Sequence, residues 1–227
     1  MPKKPLLLTI LDILTLILVP AALGLILIYT PVEVNMGPVQ KVFYFHVASA
    51  WGGMLSFVVA AVTGALYLLR RELKWDWLSQ AAVEVGLVFG LTAILSGMIW
   101  AQPIWNTWWV WEPRLTTTAI MELIYLAYFI LRGALSTPES KARLGAVFAI
   151  ISVITVPITF FSIRLYRTIH PVVIAAGSDA AFSMSPRMQT AFFTSLGVFT
   201  ILLADLVWHR TRLAQLQSEL EQKGLAS

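Results

Sequence analysis

The sequence contains no cysteine. That excludes disulfides, iron–sulfur clusters and thiolate metal sites. Charge is also scarce: 12% of the 227 residues are Asp, Glu, Lys or Arg, against about 25% in a soluble domain. Alternating ten-residue apolar patterns are missing too, which argues against a membrane β-barrel. What the chain has instead is apolar length. Hydrophobic residues make up 58% of it and mean hydropathy is +0.78. A soluble fold of this size would leave too much apolar surface in water, and a bilayer removes that conflict. The expected class is an all-α integral membrane protein.

Six apolar stretches are long enough to span about 30 Å of hydrocarbon. They cover residues 6–29, 42–69, 82–101, 116–131, 144–163 and 188–208. The first is too long for a signal-peptide core and no small-residue cleavage site follows it, so it reads as a retained helix. No soluble domain fits between the spans, and residues 1–227 read as one membrane domain. The polar stretch from His209 to Ser227 has a helical look and is expected at the surface.

Loop cations set the expected orientation. Five of the sixteen Lys and Arg fall in one set of loops: Lys41, Arg114, Arg164, Arg167 and Arg187. The other eleven, including Lys3, Lys4, Arg70, Arg71 and Lys74, fall on the opposite side. Positive-inside logic then predicts N-in, C-in, with Trp75, Trp77 and Trp208 at the cytoplasmic boundary.

The predicted middle external loop, residues 100–116, is rich in tryptophan. Trp100, Trp105, Trp108, Trp109 and Trp111 put five of the nine tryptophans within twelve residues. An interfacial belt needs one or two such rings per helix end. The excess fits either a deep interfacial anchor or a platform for a flat π-system. Porphyrin is such a system.

Of three histidines, His209 lies at the cytoplasmic end of the sixth span beside Trp208 and Arg210 and reads as an ordinary interfacial residue. His46, near the start of the second span, and His170, in the last external loop, are expected on the same membrane face as the tryptophans. Imidazole is a common axial ligand for haem iron, and two from separate segments could bracket one iron. The lack of cysteine excludes covalent haem attachment through a CxxCH motif of this chain. Arg114, Arg164 and Arg167 interrupt the positive-inside trend on that face. Arginine pairs carboxylates through a planar fork, so they suit haem propionates, although lipid headgroups or Glu112 and Asp179 would also pair with them.

Four carboxylates, Asp12, Glu84, Glu122 and Asp205, fall in or near spans, where ionisable groups are functional candidates. Glu122 lies deepest and is expected to make a packing hydrogen bond. Gly52, Ser56, Ala60 and Gly64, with Gly86 and Gly90, repeat small residues every four positions and read as packing faces only.

The run Trp105-x-x-Trp108-Trp109-x-Trp111-Glu112-x-Arg114-Leu115-Thr116 resembles the WWD signature of haem-handling membrane proteins. Span number and length make cytochrome c maturation protein C (CcmC, haem exporter protein C) the family it is most similar to. The Phe45-His46-Val47-x-x-Ala50-Trp51 run is similar to that family's first axial-histidine segment, and Thr168-Ile169-His170 to its second. Four departures stand out. Glu112 replaces the usual Asp, Pro113 a common Ala and Asn106 a usual Gly, and Tyr166-Arg167 stands where the family has a Trp-Trp-Asn-like run.

The resemblance implies haem b held non-covalently and transiently at the non-cytoplasmic face of a bacterial inner membrane, with His46 and His170 as axial ligands. Trp51, Trp105, Trp108, Trp109, Trp111, Glu112, Arg114 and Arg167 would surround it. It implies haem transfer to the chaperone CcmE for cytochrome c biogenesis, alongside the ABC-type complex CcmA/CcmB and the small subunit CcmD, with no catalytic constellation. Two other classes compete. A permease would need inverted repeats and paired broken spans, and neither is found. A quinone-linked b-type redox subunit would need more facing histidines than this chain has.

Overall fold

The structure, a computed structural model, describes residues 4–166, 169–170, 184–222 and 224. Among these it is helical, without strands, and six helices are long and apolar enough to cross a membrane. The first span joins α1 (Leu6–Gly24) to a π-helical turn, Leu25–Tyr29. The next three are α2 (Gln40–Arg70), α3 (Leu73–Trp105) and α4 (Pro113–Gly133). The fifth is broken into α5 (Pro138–Ser152) and α6 (Thr155–Leu165), and the sixth is α7 (Pro186–Gln222).

Each departure from the expected spans has a local cause. The break at Val153 and Ile154 lies four residues before Pro157. Proline cannot donate to the carbonyl of Val153, and its ring crowds that carbonyl. Helix α3 begins nine residues earlier than the apolar run because its polar first turns are buried by a partner. Arg132 donates from Nη1 to Asp76 Oδ1 at 2.6 Å and from Nη2 to Asp76 Oδ2 at 3.0 Å. It also donates to Gln80 Oε1 and the Lys141 carbonyl, so one guanidinium ties α3, α4 and the start of α5.

The tryptophan segment is not a loop from end to end. Trp100 and Trp105 belong to the last turns of α3, and only residues 106–112 connect it to α4. Pro103 is carried inside the helix, as membrane helices tolerate. Helix α3 stops at Asn106, which holds φ 54°. Asparagine is one of the few side chains that adopts the left-handed conformation readily. The stretch from His209 is helical and lies at the surface, as expected, and α7 carries it on from the sixth span to Gln222.

Helices α2 and α3 form the central pair. Gly53 of α2 approaches the backbone of Gly86 and Gly90 so closely that a Cβ there would stand 3.2 Å from Gly90 N. Of the expected small residues, Ser56 packs on Gly86, where an added Cβ would stand 3.2 Å from the Ser56 Cβ, while Gly52 meets the Phe89 ring and Gly64 meets Ala146 of α5. Phe57 of α2 stacks on Tyr125 of α4 at 3.6 Å between ring centroids. Helix α1 lies outside this core against α7, with most of its surface exposed, as a lipid-facing helix requires.

Candidate functional site

A cavity of about 1630 Å³, counted with the open space at its mouth, runs between α2, α3, α4, α6 and α7 at one end of the bundle. Its wall is mostly apolar. The polar exceptions include His46, His170, Arg114, Arg164 and Glu122.

His46 stands in the second turn of α2. Its Nδ1 lies 2.8 Å from the Ala93 carbonyl on α3. A carbonyl only accepts, so Nδ1 carries the proton and Nε2 keeps its lone pair. Gly97 makes room for the ring, since a Cβ there would stand 2.9 Å from His46 Cε1. Ala93 and Gly97 carry no polar side chain, so nothing in the sequence singled them out.

His170 reaches the same cavity from the other side. Its Nδ1 lies 3.1 Å from Glu112 Oε1. The same Glu112 oxygen accepts from Leu115 N at 3.0 Å and so caps α4, with Pro113 at the first helical position. Proline is pre-organised there and its missing N–H costs nothing. The Glu112-Pro113 pair is thus a helix start that also turns an imidazole. Both histidines share one feature: Nδ1 lies within hydrogen-bond distance of an oxygen, the kind of partner that orients a metal-binding imidazole.

The tryptophans divide. Trp100, Trp105, Trp108, Trp109 and Trp51 line the cavity. Trp105 meets the His170 ring edge-on at 5.4 Å and Trp100 at 5.0 Å. Trp111 does not line it; it is 77% exposed and packs edge-on against Trp109. Trp51 also donates from Nε1 to Thr200 Oγ1, which fixes α2 to α7. The Nε1 donors of Trp100 and Trp109 are buried with no hydrogen-bond partner among the described residues. Buried donors normally find one, and these two belong to the wall of a cavity that could admit a ligand with acceptor oxygens.

Arg114 lines the cavity and donates from Nη1 to the carbonyls of Thr159 and Phe160 on α6. One edge of its fork is therefore structural. Arg164 covers the rings of Phe160 and Phe161. Arg167 lies outside the described residues, as does Asp179. Glu122 does not make the packing hydrogen bond expected of it. Its Oε1 is buried without a partner, beside Gly90, where a Cβ would collide with the carboxylate.

The family described as heme exporter protein C matches residues 4–226. The heme exporter protein C of Paracoccus denitrificans is 31% identical over 87% of this chain and 80% of its own length. A putative cytochrome c biosynthesis ccmC-like mitochondrial protein of Marchantia polymorpha is 32% identical over 76% of this chain and 75% of its own. The heme exporter protein C of Escherichia coli is 29% identical, over 81% and 74%.

Proposed function

The chain belongs to the heme exporter protein C family, and we propose that it holds haem b non-covalently between His46 and His170 and passes it on for cytochrome c assembly. The observation that carries this reading is the matched pair of imidazoles on one cavity. Each lines the cavity and has an oxygen at Nδ1, the kind of contact that orients an imidazole toward a metal. Haem is cargo here, and the family is a transport component without a known catalytic activity.

The residues present suit that cargo. Trp105, Trp108 and Trp109 offer faces and edges to a macrocycle. The partnerless Nε1 donors of Trp100 and Trp109, and the uncommitted edge of Arg114, suit propionate oxygens. Trp111 would act at the rim, where its exposure suits contact with lipid or a receiving protein. Glu112 would serve as the positioning residue for His170.

Six apolar helices and bacterial relatives fit a multi-pass inner-membrane protein, and the positive-inside asymmetry supports N-in, C-in, an orientation that would put the cavity mouth on the periplasmic side. The receiver would then be a periplasm-facing chaperone of the CcmE type, with CcmA/CcmB and CcmD as neighbours in the complex. Pyridine haemochrome assay of the purified chain tests the reading. It predicts a b-type spectrum and haem that acid–acetone extracts completely. Haem that resists extraction, or none after haem is supplied, contradicts it.

A further inference from the structure

At the end of the bundle away from the cavity, α1 and α7 bring three side chains together. Asp12, Asp205 and His209 each offer a ligand atom, and these atoms lie within 4.8 Å of one another. His209 Nε2 is 2.7 Å from Asp12 Oδ1 and 3.5 Å from Asp205 Oδ1. We propose that Asp12, Asp205 and His209 form a binding site for a divalent transition-metal ion of the zinc class, joining α1 to α7.

The geometry fits that ion. Asp205 and His209 stand one turn apart on α7, so both point from one helix face. Zinc binds imidazole nitrogen and carboxylate oxygen at about 2.0–2.2 Å, which puts neighbouring tetrahedral ligands about 3.3 Å apart. The 3.5 Å separation of His209 Nε2 and Asp205 Oδ1 is already near that edge. Asp12 Oδ1, at 2.7 Å from His209 Nε2, must draw back to admit an ion, and its side chain is 31% exposed. Three protein ligands leave a fourth position for water. Imidazole together with carboxylate favours zinc-class ions over magnesium or calcium, which prefer all-oxygen shells.

A second observation points to a ligand. The Asp205 side chain is 9% exposed, and its Oδ1, 3.5 Å from His209 Nε2, accepts no hydrogen bond from the described residues. A buried carboxylate oxygen without a hydrogen bond is costly, and an ion at the centre would satisfy it. Lys4 pairs with Asp12 through the other oxygen, Oδ2. The Lys4 ammonium therefore leaves Oδ1 to the metal and orients the carboxylate from outside. This site is independent of the haem reading, which uses other residues at the other end.

The test uses full-length protein in detergent, purified through a tag without histidine and stripped with a chelator. Co²⁺ is titrated in, followed by Zn²⁺. We expect tetrahedral Co²⁺ absorption that saturates at one equivalent and is erased by Zn²⁺. It should persist in the His46→Ala/His170→Ala variant and be lost in Asp205→Asn and in His209→Gln. His209 is 44% exposed, so His209→Gln decides the matter if Asp205→Asn fails to fold. Absence of a Co²⁺ band in the parent protein, or an unchanged band in His209→Gln, overturns the proposal.

Discussion

Glu112 Oε1 lies 3.1 Å from His170 Nδ1 while also accepting the Leu115 N–H at 3.0 Å, so one oxygen serves both the start of α4 and an imidazole of the cavity. Replacing Glu112 with Ala removes both. Loss of an N-cap costs about 0.5–2 kcal/mol, and loss of an orienting partner typically weakens metal affinity about 10–100-fold. Glu112→Ala is therefore expected to lower the thermal midpoint slightly and haem retention strongly. Glu112→Gln keeps an accepting oxygen and should fall between. Equal haem titration curves for the three proteins would show that Glu112 only caps the helix.

Gly97→Ala separates space from helix stability. Alanine favours a helix by about 1 kcal/mol over glycine, so helical content should hold or rise by circular dichroism. The added Cβ would stand 2.9 Å from His46 Cε1 and displace the ring. We expect haem content to fall in a protein that is no less helical. Unchanged haem content would mean that the ring has room to shift.

Gly90 and Glu122 form a second close pair. Gly90→Ala alone collides with the carboxylate and should destabilise the bundle, since overpacking typically costs about 1–3 kcal/mol. Glu122→Ala in the same chain removes the collision and the orphaned oxygen together. The double variant is expected to unfold at a higher temperature than Gly90→Ala, and additive losses would refute the contact.

The ion pair of Asp76 and Arg132 is buried, at 6% and 11% side-chain exposure. Removing one partner of such a pair typically costs about 3–5 kcal/mol, whereas replacing both with apolar residues is often near neutral. Asp76→Ala should therefore lose much stability in micelles. Asp76→Ala/Arg132→Met should recover most of it, as read by denaturant titration.

How much of this could be read from the sequence depended on what each feature needed. The six spans follow from apolar length, which a bilayer demands wherever the helix sits. Their ends did not follow, because Asp76 and Gln80 look like loop residues until Arg132 is placed beside them. The helix break at Val153 was carried by Pro157, a signal present in the sequence but outweighed by the apolar run around it. At the cavity, the histidines and tryptophans were legible because their chemistry is unusual in such a chain. Ala93 and Gly97 were not, since one contributes a backbone carbonyl and the other an absent side chain. The Asp12, Asp205 and His209 cluster joins residues far apart in the chain, and His209 taken singly looks interfacial.

The central claim is that His46 and His170 ligate one iron. Optical and electron paramagnetic resonance spectra of haem-loaded protein, compared with His46→Ala and His170→Ala, test it most directly. The account predicts a low-spin bis-imidazole spectrum in the parent and a high-spin or weakly bound haem in each single variant. A low-spin spectrum that survives both substitutions unchanged would contradict it.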